Sequence, residues 1–338
     1  MSTRLDNGRT SMTETEMTYR EAIRAALDDE MTSDSSVLLL GEDVAQAGGP
    51  FKTSEGLYDK FGGDRIINTP IAENGFTGVA LGMALTGMRP VVEIMFSDFL
   101  PTAADALTVE LPRWRFMSGG QCATPVTVRA SGGAGGRFGS QHSNTCESWF
   151  LQVAGLRIAA AGSPGAAYGL LRAAIRDDNP VLVFEHKALY GIKGPVRCSD
   201  IGLPKIGEAE VVRQGSDVTI VATMLALQRS LEAADQQLTE GIDTEVIDLR
   251  WIRPIDFATV RESVEKTGRL IVVEEQYHAG GWGASLISQL TLDGHVWSHP
   301  PVAVSMPDLP IPYSPHLEDQ MMPGVERISE AIATIAGV

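Results

Sequence analysis

Residues 65–96 read "RIINTPIAENGFTGVALGMALTGMRPVVEIMF", and the fold turns on how they are parsed. A β-branched run at Ile66 and Ile67 stops at Thr69-Pro70, and a helix-like stretch follows over 73–87. Arg89-Pro90 then opens a second, nearly continuous apolar run. Strand, helix and strand in that order, with strands apolar on successive residues rather than on alternate ones, form the unit of a parallel sheet covered on both faces.

The same alternation extends in both directions. Upstream, "TYREAIRAALDDEM" has helical apolar spacing behind a capping Thr18, and "SVLLLGEDV" is a short buried strand. Downstream, "TPVTVRA", "LRIAAA" and "PVLVFEH" are strands, with helices expected over 101–117 and 164–176. After the aperiodic "PVRCSDIGLP" a second series begins, with strands at "DVTIVAT", "DTEVIDL" and "RLIVVEE". Helices are expected at "ALQRSLEAADQQLTE", "WGASLISQLTL" and near 324–336. The reading is an α/β chain of two doubly wound domains. It predicts a disordered tail over 1–16, a first domain over 17–195, a linker over 196–206 and a second domain over 207–338.

Composition removes several classes of function. A net charge of −16 argues against nucleic acid as a partner, because phosphate binding needs a basic surface. Residues 201–338 hold 20 acids and 9 bases, which reads either as solubility or as a docking face for a basic partner. The longest apolar run is broken by Arg89, Pro90 and Glu93, so no membrane span is expected. Cys122, Cys146 and Cys198 are odd in number and far apart; this fits neither a disulfide framework nor a zinc site, and points to a cytoplasmic protein.

Open parallel sheets bind ligands beyond the carboxyl ends of their strands, so the strand-to-helix turns are informative. Four stand out: "GEDVAQAGGPF" (41–51), "TPIAENGF" (69–76), "MFSDF" (95–99) and "ASGGAGGRFGSQHSN" (130–144). The last contains five glycines but matches neither a Walker nor a Rossmann pattern, and read alone it is a mobile loop. His142 at its end is an acid/base candidate. Glu73, three residues after Pro70, lies in the first turn of a helix, where the dipole favours an acid by about 0.3–1 kcal/mol. That accounts for an acid there, but not for one among apolar neighbours. Phe96 and Phe99 read as core residues before they read as a stacking platform. "AIRDDNP" (174–180) is a helix end whose carbonyls, with Asp177, suit either capping or a monovalent cation. "EEQYHAGGWG" (274–283) forms a generic anion nest. No GDG motif with a following Asn is present to tie a diphosphate to Mg²⁺.

Taken in order, "GEDV", "GLYDKFG", "RIINTPIAENGFTGVALGMALTGMRPVVEIMFSDF", "SQHS", "AIRDDNP" and "EHKALY" resemble the β subunit of 2-oxo acid dehydrogenase E1. The resemblance continues through "VIDLRWIRPID", "KTGRLIVVEE" and "LEDQMMPGVERI", and so covers nearly the whole chain from residue 17. It implies a transketolase-like fold, with a pyrimidine-binding domain followed by a transketolase C-terminal-like domain. It also implies an α₂β₂ heterotetramer with thiamine diphosphate bound between the chains. The α subunit would hold the diphosphate and Mg²⁺, which accounts for the motif missing here. The activity implied is decarboxylation of a 2-oxo acid and transfer of the acyl group to the lipoyl arm of an E2 acyltransferase, an oxidoreductase with a disulfide acceptor.

By positional match, Glu73 would hydrogen-bond the pyrimidine N1′, so that the cofactor's own 4′-amino group can take the C2 proton. Ile71, Met95 and Phe99 would line the cofactor pocket, and His142 would face the substrate and the lipoyl group. Val126, Ala174, Ile175, Asp177 and Asn179 match positions that bind K⁺ in some members. The chain departs from the common pattern at Asn144, where the family often has Gln, and at Met95, where many members have Gln. Pyruvate, a branched-chain 2-oxo acid and acetoin all stay open as substrates, with "MFSDF", "FMSGG" and "EHKALY" favouring a small one. An assembly-only paralogue and a self-sufficient transketolase-type enzyme are the readings from other classes. Intact Glu73 and His142 weigh against the first, and the missing diphosphate motif against the second.

Overall fold

The computed structural model describes residues 14–337. Its first part comprises β1 (Glu14–Thr18), α1 (Tyr19–Ser33), β2 (Val37–Gly41), α2 (Leu57–Phe61), β3 (Ile66–Asn68) and α3 (Glu73–Leu85). There follow β4 (Arg89–Ile94), α4 (Leu111–Met117), β5 (Thr127–Gly132), β6 (Arg157–Ala160), α5 (Pro164–Arg176), β7 (Val181–His186) and β8 (Lys193–Arg197). The second part opens with β9 (Glu210–Arg213), β10 (Val218–Ala222), α6 (Met224–Thr239), β11 (Thr244–Asp248) and β12 (Trp251–Arg253). It closes with α7 (Phe257–Thr267), β13 (Leu270–Tyr277), α8 (Trp282–Leu292), β14 (Val302–Met306), α9 (Pro315–Met321) and α10 (Val325–Ala336).

Two sheets carry the architecture. The larger has the order β12-β6-β7-β5-β4-β2-β3, and all its pairs are parallel except β12 with β6. The smaller has the order β14-β13-β10-β11-β9 and is parallel except for β9. Val37–Leu40 and Val181–Phe184 are buried on every residue, as strands covered on both faces must be. Helix α1 begins in a full capping box: Thr18 Oγ1 accepts from the Glu21 N–H, and Glu21 Oε2 accepts from the Thr18 N–H at 2.7 Å. Such a cap contributes about 1 kcal/mol.

The structure departs from the sequence reading in three places. Of the tail expected over 1–16, residues 1–13 lie outside the described residues, while Glu14–Glu16 are part of β1, paired antiparallel with β8. The helix expected over 101–117 is continuous but irregular, passing from a 3-10 turn at Ser97–Ala103 through a π turn at Ala106–Glu110 into α4. Pro112 has no N–H to donate back along the helix, and the π turn just before it accommodates that gap. The linker expected over 196–206 is shortened at its start, since β8 runs to Arg197.

One strand crosses the boundary expected near residue 200. Strand β12, from the C-terminal half, is the edge strand of the larger sheet, and Trp251 stands opposite Ala159. Nearby, Glu147 is buried and accepts from Gln276 Nε2 of β13 at 2.5 Å. Burial pushes its carboxyl up to about 8 from an ordinary 4.5, helped by the charges of Glu275 and Glu274. The fold therefore keeps this proton at neutral pH, whereas the unfolded chain releases it above about 4.5. Its stabilising effect is full below that value and is lost as pH rises towards 8. Glu147→Gln should accordingly raise the denaturant midpoint relative to the parent at pH 8 and leave it unchanged near pH 4.5. Equal shifts at both pH values would refute a protonated Glu147.

Candidate active site

The site is built on the carboxyl edge of the larger sheet, where the turns after β2, β3, β4 and β5 lie side by side. Glu73 is the first residue of α3 and is buried, with 8 % of its surface exposed. Its N-cap is Ala72, which offers no capping side chain, so the carboxylate itself supplies the negative charge favoured at this helix start. The next residue, Asn74, accepts the Ala106 N–H at 3.2 Å and fastens the helix start to the π turn that follows "MFSDF".

Of the apolar neighbours of Glu73, only Phe76 packs inward. Ile71 is 83 % exposed and Val79 is 53 % exposed, so the apolar rim faces outward instead of closing over the acid. A second carboxylate, Glu42 at the end of β2, is buried, and its Oε1 has no partner among the described residues. Burial pushes this carboxyl up, and the negative charges of Glu73 and Asp43 push it further. The sequence reading singled out the "GEDV" turn but missed Glu42 itself. The available signal was an acid placed directly after the fully buried run "VLLLG".

Beside this pair lies an aromatic cluster. Met95 and Phe99, both half-buried, flank Phe96, which meets Phe99 edge-on at 5.7 Å. His142 stands edge-on to Phe96 at 4.8 Å and to Phe99 at 5.5 Å. The structure thus brings His142, Phe96 and Phe99 together in one aromatic cluster, and Met95 adjoins it in sequence. Lys187, at the end of β7, was not singled out from the sequence. Its ammonium donates to the His142 carbonyl and sits 5.1 Å from the Phe96 ring and 5.3 Å from the Phe138 ring. Burial pulls its pKa down to about 8.

The five-glycine loop packs closely against distant side chains at some of its glycines. A Cβ on Gly133 (φ +90°) would lie 1.9 Å from His186 Nε2, and one on Gly139 (φ +72°) would strike the Tyr313 ring. The glycines are required for close approach to the protein's own side chains. The anion nest at 274–283 is likewise already filled. Glu274 Oε2 accepts the Gly283 N–H at 3.1 Å, and burial raises its carboxyl to about 7.

The residues expected to hold a monovalent cation do come together, but their oxygens are already engaged. The Ile175 and Asp177 carbonyls both accept from Arg89 Nη1 at 3.0 Å. The Asp177 carboxylate pairs with Arg157, and Asn179 Oδ1 accepts from Arg115 at 2.9 Å. Val126 O accepts from the Val181 N–H at 3.0 Å, and Ala174 O from the Asp177 N–H at 3.2 Å. Three guanidinium groups therefore lie among the oxygens expected to face a cation.

For a pyrimidine-bearing cofactor the donor set fits. Two buried carboxylates, one with an oxygen left unpartnered, lie beside half-buried aromatic and thioether side chains under an exposed Ile71. For a diphosphate and its metal it does not: among the described residues no cluster of three or more His, Cys, Asp or Glu is arranged to hold a metal. Nor, among them, is any helix long and apolar enough to cross a membrane.

Residues 15–193 match the family described as transketolase, pyrimidine binding domain, and residues 207–328 match the transketolase C-terminal domain. The chain is similar to the pyruvate dehydrogenase E1 component subunit beta-2, mitochondrial, of Oryza sativa subsp. japonica. That match is 42% identical and covers 94% of this chain and 85% of that one. The corresponding subunit beta of Rickettsia conorii is 40% identical, covering 95% of this chain and 98% of that one. That of Rhizobium meliloti is 39% identical, covering 94% and 70%. A solved structure described as split gene transketolase, inactive beta4 tetramer, shares the fold with a TM-score of 0.78 at 23% identity, covering 95% and 98% of the two chains. The chain belongs to the family of E1-component β subunits, with the two-domain transketolase-like fold.

Proposed function

We propose that this chain supplies the pyrimidine-binding half of a thiamine-diphosphate-dependent E1 that decarboxylates pyruvate and acylates the lipoyl group of an E2 partner. The reading is carried by the buried Glu73, set near the unpartnered Glu42 beneath an exposed apolar rim. A second chain placed over Ile71 and Val79 would complete such a half-site. Thiamine diphosphate, when bound, supplies the electron sink for decarboxylation. Glu73 would hold the pyrimidine N1′ and share a proton with it, in a dry setting where such a hydrogen bond is strong. Met95, Phe99 and Ile71 would pack on the ring. The raised carboxyl of Glu42 gives Glu73 a neighbour able to accept or return that proton.

The α subunit would bring the diphosphate and Mg²⁺ sites and form an α₂β₂ assembly, and the acidic second domain suits docking of a basic E2 segment. The compartment proposed is the cytoplasm, in keeping with three free cysteines. Pyruvate is preferred to a branched-chain acid or acetoin because relatives named for pyruvate dehydrogenase recur at 39–42% identity.

The test is turnover by the co-expressed α–β enzyme offered pyruvate, 2-oxoisovalerate and acetoin, read with an artificial electron acceptor. Pyruvate should be preferred; preference for either of the others would overturn the substrate, and no thiamine-dependent turnover of any would overturn the function. His142→Ala separates the two half-reactions. Acylation of a free lipoyl domain should fall by about a hundredfold, the lower range for lost acid–base assistance, while the acceptor assay changes far less. Equal losses in both would deny His142 a role towards the lipoyl group.

A further inference from the structure

The loop bearing His142 is secured by the domain that contains no other member of the site. On its N-terminal side, Glu318 of α9 is completely buried. Its two oxygens accept the Gly135 N–H at 3.0 Å and Arg137 Nη1 at 2.5 Å. Arg137 also reaches Asp319 Oδ2 at 3.0 Å and the Pro315 carbonyl at 3.1 Å. Its backbone is left-handed, at φ 61°, a conformation that a non-glycine residue holds only when its surroundings impose it. On the C-terminal side, Tyr277 OH donates to Asn144 Oδ1 at 3.2 Å, and Thr145 Oγ1 donates to the Glu275 carbonyl at 2.6 Å. Both feet of the loop are therefore tied to β13 and α9, and His142 between them is tied by its carbonyl to Lys187. A buried carboxylate that satisfies a backbone N–H and a guanidinium at once has one geometry, whereas a free glycine-rich loop has many.

We infer that Glu318, through Arg137 and Gly135, is a positioning residue for His142, so that the second domain sets the geometry of acyl transfer to the lipoyl group. This rests on the reading of His142 given above, but the clamp can be tested apart from it. In the assembled α–β enzyme, Glu318→Gln keeps the shape and removes the charge that holds Arg137. Tryptic cleavage after Arg137 should then speed up by about tenfold as the loop opens more often. The kcat for acylation of a free lipoyl domain should fall by about tenfold or more, since small misplacements of a reacting group are costly. Decarboxylation read with an artificial acceptor should fall no more than about twofold. Arg137→Met, which changes the partly exposed partner, should reproduce the split between the assays if Glu318→Gln does not assemble, and Arg137→Lys should restore part of the loss. Unchanged cleavage, or parallel losses in the two assays, would overturn the proposal. Faster cleavage with acylation intact in both Glu318→Gln and His142→Ala would uphold the clamp and overturn the role of His142.

Discussion

Glu73→Gln is expected to lower thiamine-dependent decarboxylation by the assembled enzyme by about a thousandfold, within the range for removal of a positioned acid–base group. Glutamine matches the side chain in size and still accepts a hydrogen bond, but it cannot exchange a proton with a ring nitrogen. The fold should survive, because an acid in the first turn of a helix contributes only about 0.3–1 kcal/mol. Glutamine also removes the charge that helps to raise the Glu42 carboxyl, so that carboxyl should titrate lower in the variant. Retention of more than about a tenth of the parent activity, with the heterotetramer intact, would mean that Glu73 holds no catalytic proton.

The largest expected loss of stability lies on β5, in the middle of the larger sheet. Arg129, 1 % exposed there, donates to Glu185 at 2.7 and 3.0 Å and to Glu93 at 2.7 Å. Tyr190 and Thr53 complete the network on the carboxylates at 2.8 and 3.3 Å. Burial pushes the Glu93 carboxyl up, and Arg129 opposes that shift. Arg129→Met fills the space but leaves two buried carboxylates facing each other, and breaking a buried pair in this way costs about 3–5 kcal/mol. Chemical denaturation at pH 7 should show a loss of that size, and adding Glu93→Gln and Glu185→Gln should recover most of it. A loss below about 1 kcal/mol would mean that water or a shifted neighbour neutralises the pair.

What could be read from the chain divides along physical lines. Buried parallel strands and capped helices announce themselves locally: the helix expected over 164–176 is observed as Pro164–Arg176, and "WGASLISQLTL" is α8. Residues 101–117 are helical as expected, but the spacing gave no sign of the 3-10 and π turns within them. Of the site, Glu73 and His142 stood out because each is an odd residue in its surroundings. Glu42, Lys187 and Glu318 did not, since their importance comes from burial against partners distant in sequence. Lys187 meets His142 across 45 positions, and Glu318 meets Gly135 across 183. The residues expected to hold a cation show a different limit of sequence reading. They come together, but the arginines that occupy their oxygens approach from other elements.

Strand β12 also bears on how the chain is made. The larger sheet lacks its edge strand until Trp251–Arg253 has left the ribosome, well after β6 itself. In the interval β6 presents an unpaired strand edge, the kind of surface on which other chains add strands and aggregate. A contact made over so long a sequence separation also slows folding, because loop closure precedes any gain from pairing. The larger sheet is therefore finished by a strand from beyond the boundary near residue 200. The first domain completes itself by borrowing from the second.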